Sequence, residues 1–574
     1  MYKNKIKMLI ETQYLTNTKK LVVSYVDKSG DIKLKYFDWD NPMKYVYCED
    51  NDSQKHPKFK SWDGKSVKQI EVNHPDRYAI YEFLDALPES EREEIYEYNL
   101  PKIYFIDIET EIVDGFPEAA DIKDAAGNVT KEGAATSVLS ISIVYDDKII
   151  LLGLNEMSED MQTRIINNTN NYFKKFGTEY KFKYVKYDDE FDMLYAFFYK
   201  MIPKMSLLTG WNFLNYDWLY LVNRSRKLSK WINGKEYKIN PAVASLTKKI
   251  NKAWGTEYEL PAHRMIFDYM QLYEICDTSI KVKESSSLDF VASKLVGVEK
   301  VKYVNSIYKL LDDSVIEGYR FKSGDICRPD GDILYMYDGI DRIEFTKDKF
   351  QKWKHLFKEV NVSNLQKLYE EDFEIYMYYN AVDSVLVQKI HDARNYISII
   401  YAISSLAKIR IVDVVSQMNN ALGSLAITEG VLRNRFREMD NIVLFRGEKS
   451  EEGGPGIAGG YVMEPITGIN QWVVTYDFAS LYPHCQLQWY IAPENYVGSK
   501  DKNNPEFCTN GLKIKPDEHV VCVNDVVFRK RNSPTIQMLN DVYSDRKKNK
   551  KIMMDRKDEL KEVLDEIKKL EQEL

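Results

Sequence analysis

Apolar runs typical of buried strands alternate with amphipathic runs typical of helices between residues 101 and 396. The strand-like runs include KIYFIDIET and SVLSISIVYDDKIILLGL, and the helix-like runs include DDEFDMLYAFFYKMI and SSLDFVASKLVGV. Strands that alternate with helices pack as a sheet covered by helices. The pattern therefore predicts an α/β domain over residues 101–396.

The flanking segments predict further domains. Residues 1–100 contain short alternating runs such as KLVVSYVDKSGDIKLKYFDWD, which indicate a β-rich N-terminal domain. We expect a helical connection packing on that domain over residues 397–450, a partly β-rich segment over 451–534 that opens with the boundary sequence EEGGPGIAGG, and a charged helix over 535–574. A chain of this length has room for about three to five domains, so the sequence predicts an α+β multidomain protein.

Composition and charge leave a nucleic-acid partner open. The net charge is −8, but basic residues clustered in a groove bind phosphates even when acidic residues elsewhere dominate the sum. The six cysteines include no Cys-x-x-Cys pair, so neither a zinc site nor a disulfide framework is indicated. The sequence shows no signal peptide and no apolar run of membrane-spanning length. We expect a soluble cytoplasmic protein, in the host cytoplasm if the protein is viral.

The run YFIDIET places two carboxylates on one strand. Asp107 and Glu109 are separated by one residue, so both side chains project from the same strand face. Two acids held this close repel each other unless a cation lies between them, and Mg²⁺ or Mn²⁺ suits such oxygen ligands. Taken alone, the pattern also fits two solvated acids.

Two later segments add acids to this pair. TGWNFLNYDWLYLVNR places Asp217 at the start of an apolar segment, beyond an Asn-containing turn. YMYYNAVDSVLVQKI places Tyr379 and Asp383 four residues apart, which puts them on one face if the segment is helical. A lone Tyr-x-x-x-Asp is more often structural, but here it follows the other acids in an α/β setting.

In this order, the acids resemble the 3′-5′ exonuclease domain of family B DNA polymerases. The resemblance implies a ribonuclease-H-like fold in which Asp107, Glu109, Asp217 and Asp383 bind two Mg²⁺ ions, with Mn²⁺ as the alternative. It also implies that Tyr379 orients the attacking water. SSLDFVASKLVGVEKVKY (286–303) resembles the segment that lies between the second and third exonuclease motifs of such enzymes.

The sequence VVTYDFASLYPHC raises a second possibility, nucleotidyl transfer. An apolar run, WVVTYDF, is expected to form a strand that delivers Asp477 to its end, where backbone amides suit a triphosphate. TYDFASLYP resembles the first polymerase motif of family B. Within that family, the chain resembles the polymerases of T-even-type bacteriophages. The resemblance implies that Asp477 binds a metal, and that Tyr482 lies under the incoming sugar and excludes a 2′-hydroxyl. The backbone amides near Phe478, Ser480 and Leu481 are the ones expected to face the triphosphate.

Other stretches extend the resemblance but differ from the usual family residues at two positions. GIAGGYV (456–462) is similar to the connector between exonuclease and polymerase parts, with Ile457 where Tyr is usual, and His484 stands where Ser is frequent. The resemblance implies a partial palm over 451–534 and a first fingers helix over 535–574. On that helix, Arg546 and Lys550 lie one turn apart and are expected to bind the phosphates of the dNTP. A charge run on a helix also fits a solvated face.

The second palm carboxylate that the family requires is not found after Asp477. Asp38 and Asp40 form an Asp-x-Asp, but in the N-terminal domain. We expect a split polymerase whose C-terminal partner polypeptide supplies this carboxylate, the second fingers helix and the thumb. An apolar row on the last helix offers that partner a docking seam: Leu560, Val563, Ile567, Leu570 and Leu574.

Several alternatives remain open at this point. The chain also fits a truncated polymerase, a stand-alone metal-dependent exonuclease, or a non-catalytic DNA-binding assembly subunit. The expected partners are primer-template DNA, single-stranded 3′ ends, dNTP and a sliding clamp, with no membrane.

Overall fold

The computed structural model of the 574-residue chain describes most of the sequence, with gaps. The described residues are 10–39, 45–49, 59–60, 66–71, 80, 83–84, 86–96, 99–113, 115–252, 258–277, 284–302, 304–407, 411, 414, 463–464, 467–469, 471–478 and 480–573. The predicted connection 397–450 is therefore described mainly over its first helix, and the boundary 451–460, the connector with Ile457, Asp40 and Leu574 lie outside the described residues.

The strands are, in chain order, β1 (Glu11–Leu15), β2 (Lys20–Val26), β3 (Ile32–Asp38), β4 (Tyr45–Glu49), β5 (Phe59–Lys60), β6 (Ser66–Glu71), β7 (Ile103–Thr110), β8 (Ile122–Lys123), β9 (Val129–Lys131), β10 (Val138–Tyr145), β11 (Lys148–Gly153), β12 (Lys181–Lys186), β13 (Leu207–Gly210), β14 (Ser229–Ile232), β15 (Lys235–Lys238), β16 (Ile250–Lys252), β17 (Glu259–Pro261), β18 (Met265–Asp268), β19 (Ser306–Leu310), β20 (Ser314–Ile316), β21 (Tyr319–Phe321), β22 (Ile326–Asp330), β23 (Ile333–Asp338), β24 (Asp341–Thr346), β25 (Phe357–Asn361), β26 (Tyr496–Ser499), β27 (His519–Val521) and β28 (Val526–Arg529). The α-helices are α1 (Glu89–Tyr96), α2 (Glu159–Tyr172), α3 (Glu190–Ala196), α4 (Asp217–Lys227), α5 (Tyr269–Cys276), α6 (Leu288–Val296), α7 (Lys347–Trp353), α8 (Leu365–Glu371), α9 (Phe373–Arg394), α10 (Tyr396–Ala407), α11 (Leu481–Gln488) and α12 (Pro534–Glu573).

The chain divides into two compact units. One contains Met1–Pro42 and Ile80–Ile427, and the other contains Met43–Ala79 and Thr428–Leu574. Residues of the predicted N-terminal domain, 1–100, occur in both units. The predicted mixed α/β architecture is confirmed, whereas the domain boundaries stay predictions.

A six-stranded sheet organises the first unit, in the order β12-β11-β10-β7-β13-β18. Strand β10 is antiparallel to β7 and β11, while β13 runs parallel to β7 and β18. The central strands are apolar and buried, and Ile106, Ile141 and Leu208 contribute to one core that also includes Trp218 on α4. This sheet sets the position of the YFIDIET motif.

Helix α9 packs against β7 and β10 and is buried over most of its length. It begins after Asp372, whose carboxylate accepts a hydrogen bond from the backbone N–H of Ile375, as a helix N-cap does. It ends at Asn395, which takes the left-handed conformation (φ +47°) common at helix C-termini. Helix α9 carries the predicted Tyr379 and Asp383.

The chain between α6 and α8 forms a second sheet. Its strand order is β24-β23-β22-β19-β25. The segment Ser306–Asn361, called here the 306–361 subdomain, has its own hydrophobic core, which includes Leu310, Phe321 and Phe345. The alternation pattern predicts strands in this region but not that they form a separate sheet.

The second unit contains two small sheets and the last helix. The strand orders are β4-β6-β5 and β26-β28-β27. Helix α12 covers Pro534–Glu573, close to the predicted 535–574, and its apolar row is exposed at Leu560, Val563, Ile567 and Leu570. Among the described residues, no helix is both long and apolar enough to cross a membrane.

Candidate active site

Strand β7 presents Asp107 and Glu109 on one face. Both side chains are partly exposed, whereas Ile106 and Ile108 are buried on the opposite face, as the two-residue repeat of a strand requires. In the register with β10, Asp107 lies opposite Ser142. The prediction that Asp107 and Glu109 project from the same strand face therefore agrees with the geometry.

Asp217 is the first residue of α4 and is buried beside the same strand. Its Oδ1 accepts a hydrogen bond from the backbone N–H of Ile108 at 3.0 Å. Because Ile108 stands between Asp107 and Glu109 in the chain, this bond holds the Asp217 carboxylate against the backbone between the two acids. A negative charge is also favoured at a helix N-terminus.

Helix α9 brings a fourth acid to β7. Asp383 is buried on α9, four residues after the partly buried Tyr379. Between them in sequence, Asn380 donates from Nδ2 to Asp107 Oδ2 at 2.9 Å. The structure thus brings Asp107, Glu109, Asp217 and Asp383 together from one strand and two helices.

Lys300 supplies positive charge to this cluster. Its ammonium group forms an ion pair with Asp383, and its Nζ lies 4.9 Å from the centroid of the Tyr379 ring. Burial lowers the pKa of Lys300, but the nearby Asp383 carboxylate and Tyr379 favour the charged form, and together they raise the pKa above its usual value. Lys300 therefore links Asp383 and Tyr379.

Burial raises the pKa values of the four carboxyl groups, and repulsion within the cluster adds to three of them. Desolvation is the largest cause for each. Repulsion from Asp383 adds to the pKa of Asp107, and repulsion from Asp107 adds to those of Glu109 and Asp217. For Asp383, Lys300 opposes the increase. Negative charge concentrated in this way favours cation binding.

The chemistry of the donor set fits a hard divalent cation. The cluster offers carboxylate oxygens, which Mg²⁺ and Mn²⁺ prefer, and Asp383 Oδ1 is buried without a hydrogen-bond partner. As they stand, the side chains are not arranged around an ion, because the described part of the chain contains no group of three or more His, Cys, Asp and Glu residues placed to hold one. The fit therefore rests on the donor chemistry.

The second candidate site, around Asp477, is exposed. The expected strand WVVTYDF is wrong for the described residues, because 471–478 adopt no regular secondary structure. Trp472 is 94% exposed, and Val473, Val474 and Phe478 are exposed as well. A strand needs a neighbour to pair its N–H and C=O groups, and no strand among the described residues pairs with this segment.

The residues after Asp477 meet the last helix. Arg546 on α12 donates from Nη1 to Ser480 Oγ at 3.1 Å, which brings together two predicted nucleotide-binding residues. The ring of His484 on α11 packs edge-on against Tyr543, with centroids 4.6 Å apart. The predicted Leu481, Tyr482 and Lys550 are exposed on these two helices.

Sequence reasoning missed Lys300 and Asn380. Lys300 lies within the segment 286–303 that carried part of the resemblance, but nothing local separates it from the nearby Lys302. Asn380 directly follows Tyr379, so its place beside the predicted motif was an available signal. Their roles depend on contacts across 83 and 273 positions of sequence (Lys300 to Asp383, Asn380 to Asp107).

Comparisons with known proteins match two parts of the chain to one polymerase family. A family model described as "DNA polymerase family B, exonuclease domain" matches residues 66–291, and one described as "DNA polymerase family B" matches residues 422–570. The DNA-directed DNA polymerase of Escherichia phage RB69 is 21% identical over 471 residues, which cover 80% of this chain and 43% of that protein. The DNA-directed DNA polymerase of Enterobacteria phage T4 is 22% identical over 343 residues, which cover 59% of this chain and 30% of that protein. The match spans less than half the length of either relative.

Proposed function

The chain belongs to DNA polymerase family B, and from this premise we propose that it removes nucleotides from DNA 3′ ends through the cluster on β7, α4 and α9. The observation that carries the proposal is the convergence of Asp107, Glu109, Asp217 and Asp383, close enough that repulsion from another member of the group raises the pKa of three of them. Such a group is costly unless it binds cations. Proofreading of mismatched primer ends is the corresponding role in DNA replication.

The side chains of this chain have separable tasks in that reaction. The four carboxylates would hold the divalent ions, Mg²⁺ or Mn²⁺, and bound ions of this kind supply an activated water and stabilise a leaving 3′-oxygen. Tyr379, beside Asp383 on α9, would orient the attacking water. Lys300 limits the repulsion among the acids and holds Asp383 near Tyr379.

The test is excision of a mismatched 3′ nucleotide from a labelled primer by the purified chain with Mg²⁺. We expect excision by the wild-type chain and by Asp188→Asn, which changes an exposed acid of the same unit. We expect Asp107→Asn to abolish it. Equal rates for Asp107→Asn and Asp188→Asn would reject the site assignment.

The proposal also includes half of a site for nucleotide addition, the half that this chain would supply. Its support is the contact between Arg546 and Ser480, three residues after Asp477. In this proposal Asp477 is one of two metal-binding carboxylates, and Phe478, Ser480, Leu481, Tyr482, Arg546 and Lys550 bind the dNTP. The second carboxylate would come from a further polypeptide segment, for which the exposed apolar row on α12 offers a docking seam.

Primer extension separates this proposal from the alternatives. The chain is assayed on a primed template with Mg²⁺ and dNTP, alone and with a polypeptide carrying a candidate second carboxylate segment. Extension only with the added polypeptide supports the split polymerase. Excision without extension in either case favours a stand-alone exonuclease, and neither activity favours a DNA-binding assembly subunit. A sliding clamp, if it binds, would increase the length of the extended products.

A further inference from the structure

Arg328 joins the 306–361 subdomain to the start of α9. From β22, its Nε and Nη2 donate to the two oxygens of Asp372 at 2.6 and 2.7 Å, and Nη2 lies 3.4 Å from Glu374 Oε2. The side chains of Arg328 and Asp372 are 6% and 1% exposed. This two-pronged geometry fixes direction as well as distance.

Arg164 reaches the same helical turn from α2. Its Nε and Nη2 donate to the two oxygens of Glu374 at 2.9 and 2.8 Å. Its Nη1 donates to the carbonyl oxygen of Gly339, which belongs to the 306–361 subdomain. Two arginines from different elements therefore bind two neighbouring acids at the first turn of α9.

The geometry of this turn extends to the active site. Asp372 caps α9, and Tyr379 and Asp383 follow seven and eleven residues later on the same helix. At the rise of an α-helix, they lie about 10 and 16 Å along its axis from the cap. A helix held at its first turn is restricted in rotation and in sliding along its axis, and either movement would displace both side chains.

Attaching the 306–361 subdomain to α9 does not by itself require a buried network of charged side chains. Burying several charges costs free energy, and apolar residues of similar volume often stabilise a protein as well or better. The 306–361 subdomain already has its own apolar core. A buried bidentate network gives the α9 turn one defined position, which apolar contacts specify less well.

We propose that Arg328 is a positioning residue for the exonuclease site, which sets α9 so that Tyr379 and Asp383 meet Asp107 in the reactive arrangement. This proposal rests on the exonuclease function proposed above. It assigns the 306–361 subdomain a part in catalysis, although the subdomain contributes no side chain to the carboxylate cluster.

The test uses Arg328→Met, Arg328→Lys and Asp372→Asn in the full chain, with Arg342→Met as the matched control. Arg342 is an arginine of the same subdomain that pairs with Asp330 and Glu344. Asp372→Asn keeps a good N-cap residue while removing its charge, so it stays informative if Arg328→Met does not fold. The readouts are kcat and KM for excision and, in metal-free protein, hydrogen exchange of the amides in 373–383.

We expect Arg328→Met to lower kcat about tenfold to a hundredfold, the effect of a small misplacement of reacting groups, with KM changed less than about twofold. Arg328→Lys should recover part of the rate, and exchange in 373–383 should accelerate in Arg328→Met and Asp372→Asn but not in Arg342→Met. A kcat for folded Arg328→Met or Asp372→Asn equal to that of Arg342→Met overturns the proposal. If the wild-type chain does not excise at all, the exonuclease function fails, and unchanged exchange in 373–383 then overturns the positioning role separately.

Discussion

Replacing Lys300 with methionine tests the electrostatics of the carboxylate cluster most directly. Methionine retains much of the side-chain length and removes the charge that pairs with Asp383 and lies over Tyr379. The side chain of Lys300 is 27% exposed, so its charge is only partly screened by water. The variant should leave four repelling carboxylates without their nearby ammonium group.

The size of the effect follows from the ion pair. Two unit charges about 4 Å apart interact with about 4 kcal/mol at an effective dielectric constant near 20. Removing one partner of a buried pair typically costs about 3–5 kcal/mol, and the partial exposure of Lys300 places the expected loss near the lower end. If the same interaction holds Asp383 during excision, about 3 kcal/mol corresponds to about a hundredfold lower rate.

Two assays check this expectation. Excision of a mismatched primer end at saturating Mg²⁺ measures the rate, and denaturant unfolding of the metal-free chain measures the loss of stability. Lys302→Met is the matched control, because Lys302 lies two residues away, is 77% exposed and pairs only with Glu299 among the described ion pairs. If Lys300→Met excises as fast as Lys302→Met, the ion pair does not support the reaction and the reasoning fails.

The other predictions concern the second site and the sheet. Arg546→Ala should raise the KM for dNTP about tenfold to a hundredfold in an extension-competent assembly, because a charge-assisted hydrogen bond contributes about 1.5–3 kcal/mol. Arg556→Ala, which removes an exposed pair with Glu559, is the control, and equal KM values for the two variants would count against the assignment. Gly210→Ala should lower the free energy of unfolding by about 1–3 kcal/mol in urea denaturation, the usual cost of overpacking, because its Cβ would stand 2.3 Å from the carbonyl oxygen of Ile106. A loss within experimental error would show that β13 can move away from β7.

The parts of the candidate active site that follow from local periodicity could be predicted from the sequence. The two-residue repeat of a strand places Asp107 and Glu109 on one face, and the helical repeat places Tyr379 and Asp383 together. The approach of α4 to β7 is different, because the bond from Ile108 to Asp217 joins residues 109 positions apart. For that step the prediction depended on family resemblance and not on the pattern itself.

Non-local packing also explains what the sequence did not reveal about the fold. Strand and helix patterns identify the elements of Ser306–Asn361, but they do not tell which sheet each strand joins. In the same way, nothing local in Met43–Ala79 indicates that it belongs to the compact unit of Thr428–Leu574. Both arrangements depend on which surfaces meet after the elements have formed.

The segment before Asp477 also shows that strand-like composition is not enough to form a strand. WVVTYDF has the composition of a strand, yet Val473 and Val474 are exposed and the segment has no described pairing partner. Apolar residues and β propensity favour a strand only where a neighbouring strand and a core receive it. In the split-polymerase proposal, a segment that pairs with 471–478 would give this run the neighbouring strand that the described residues do not provide.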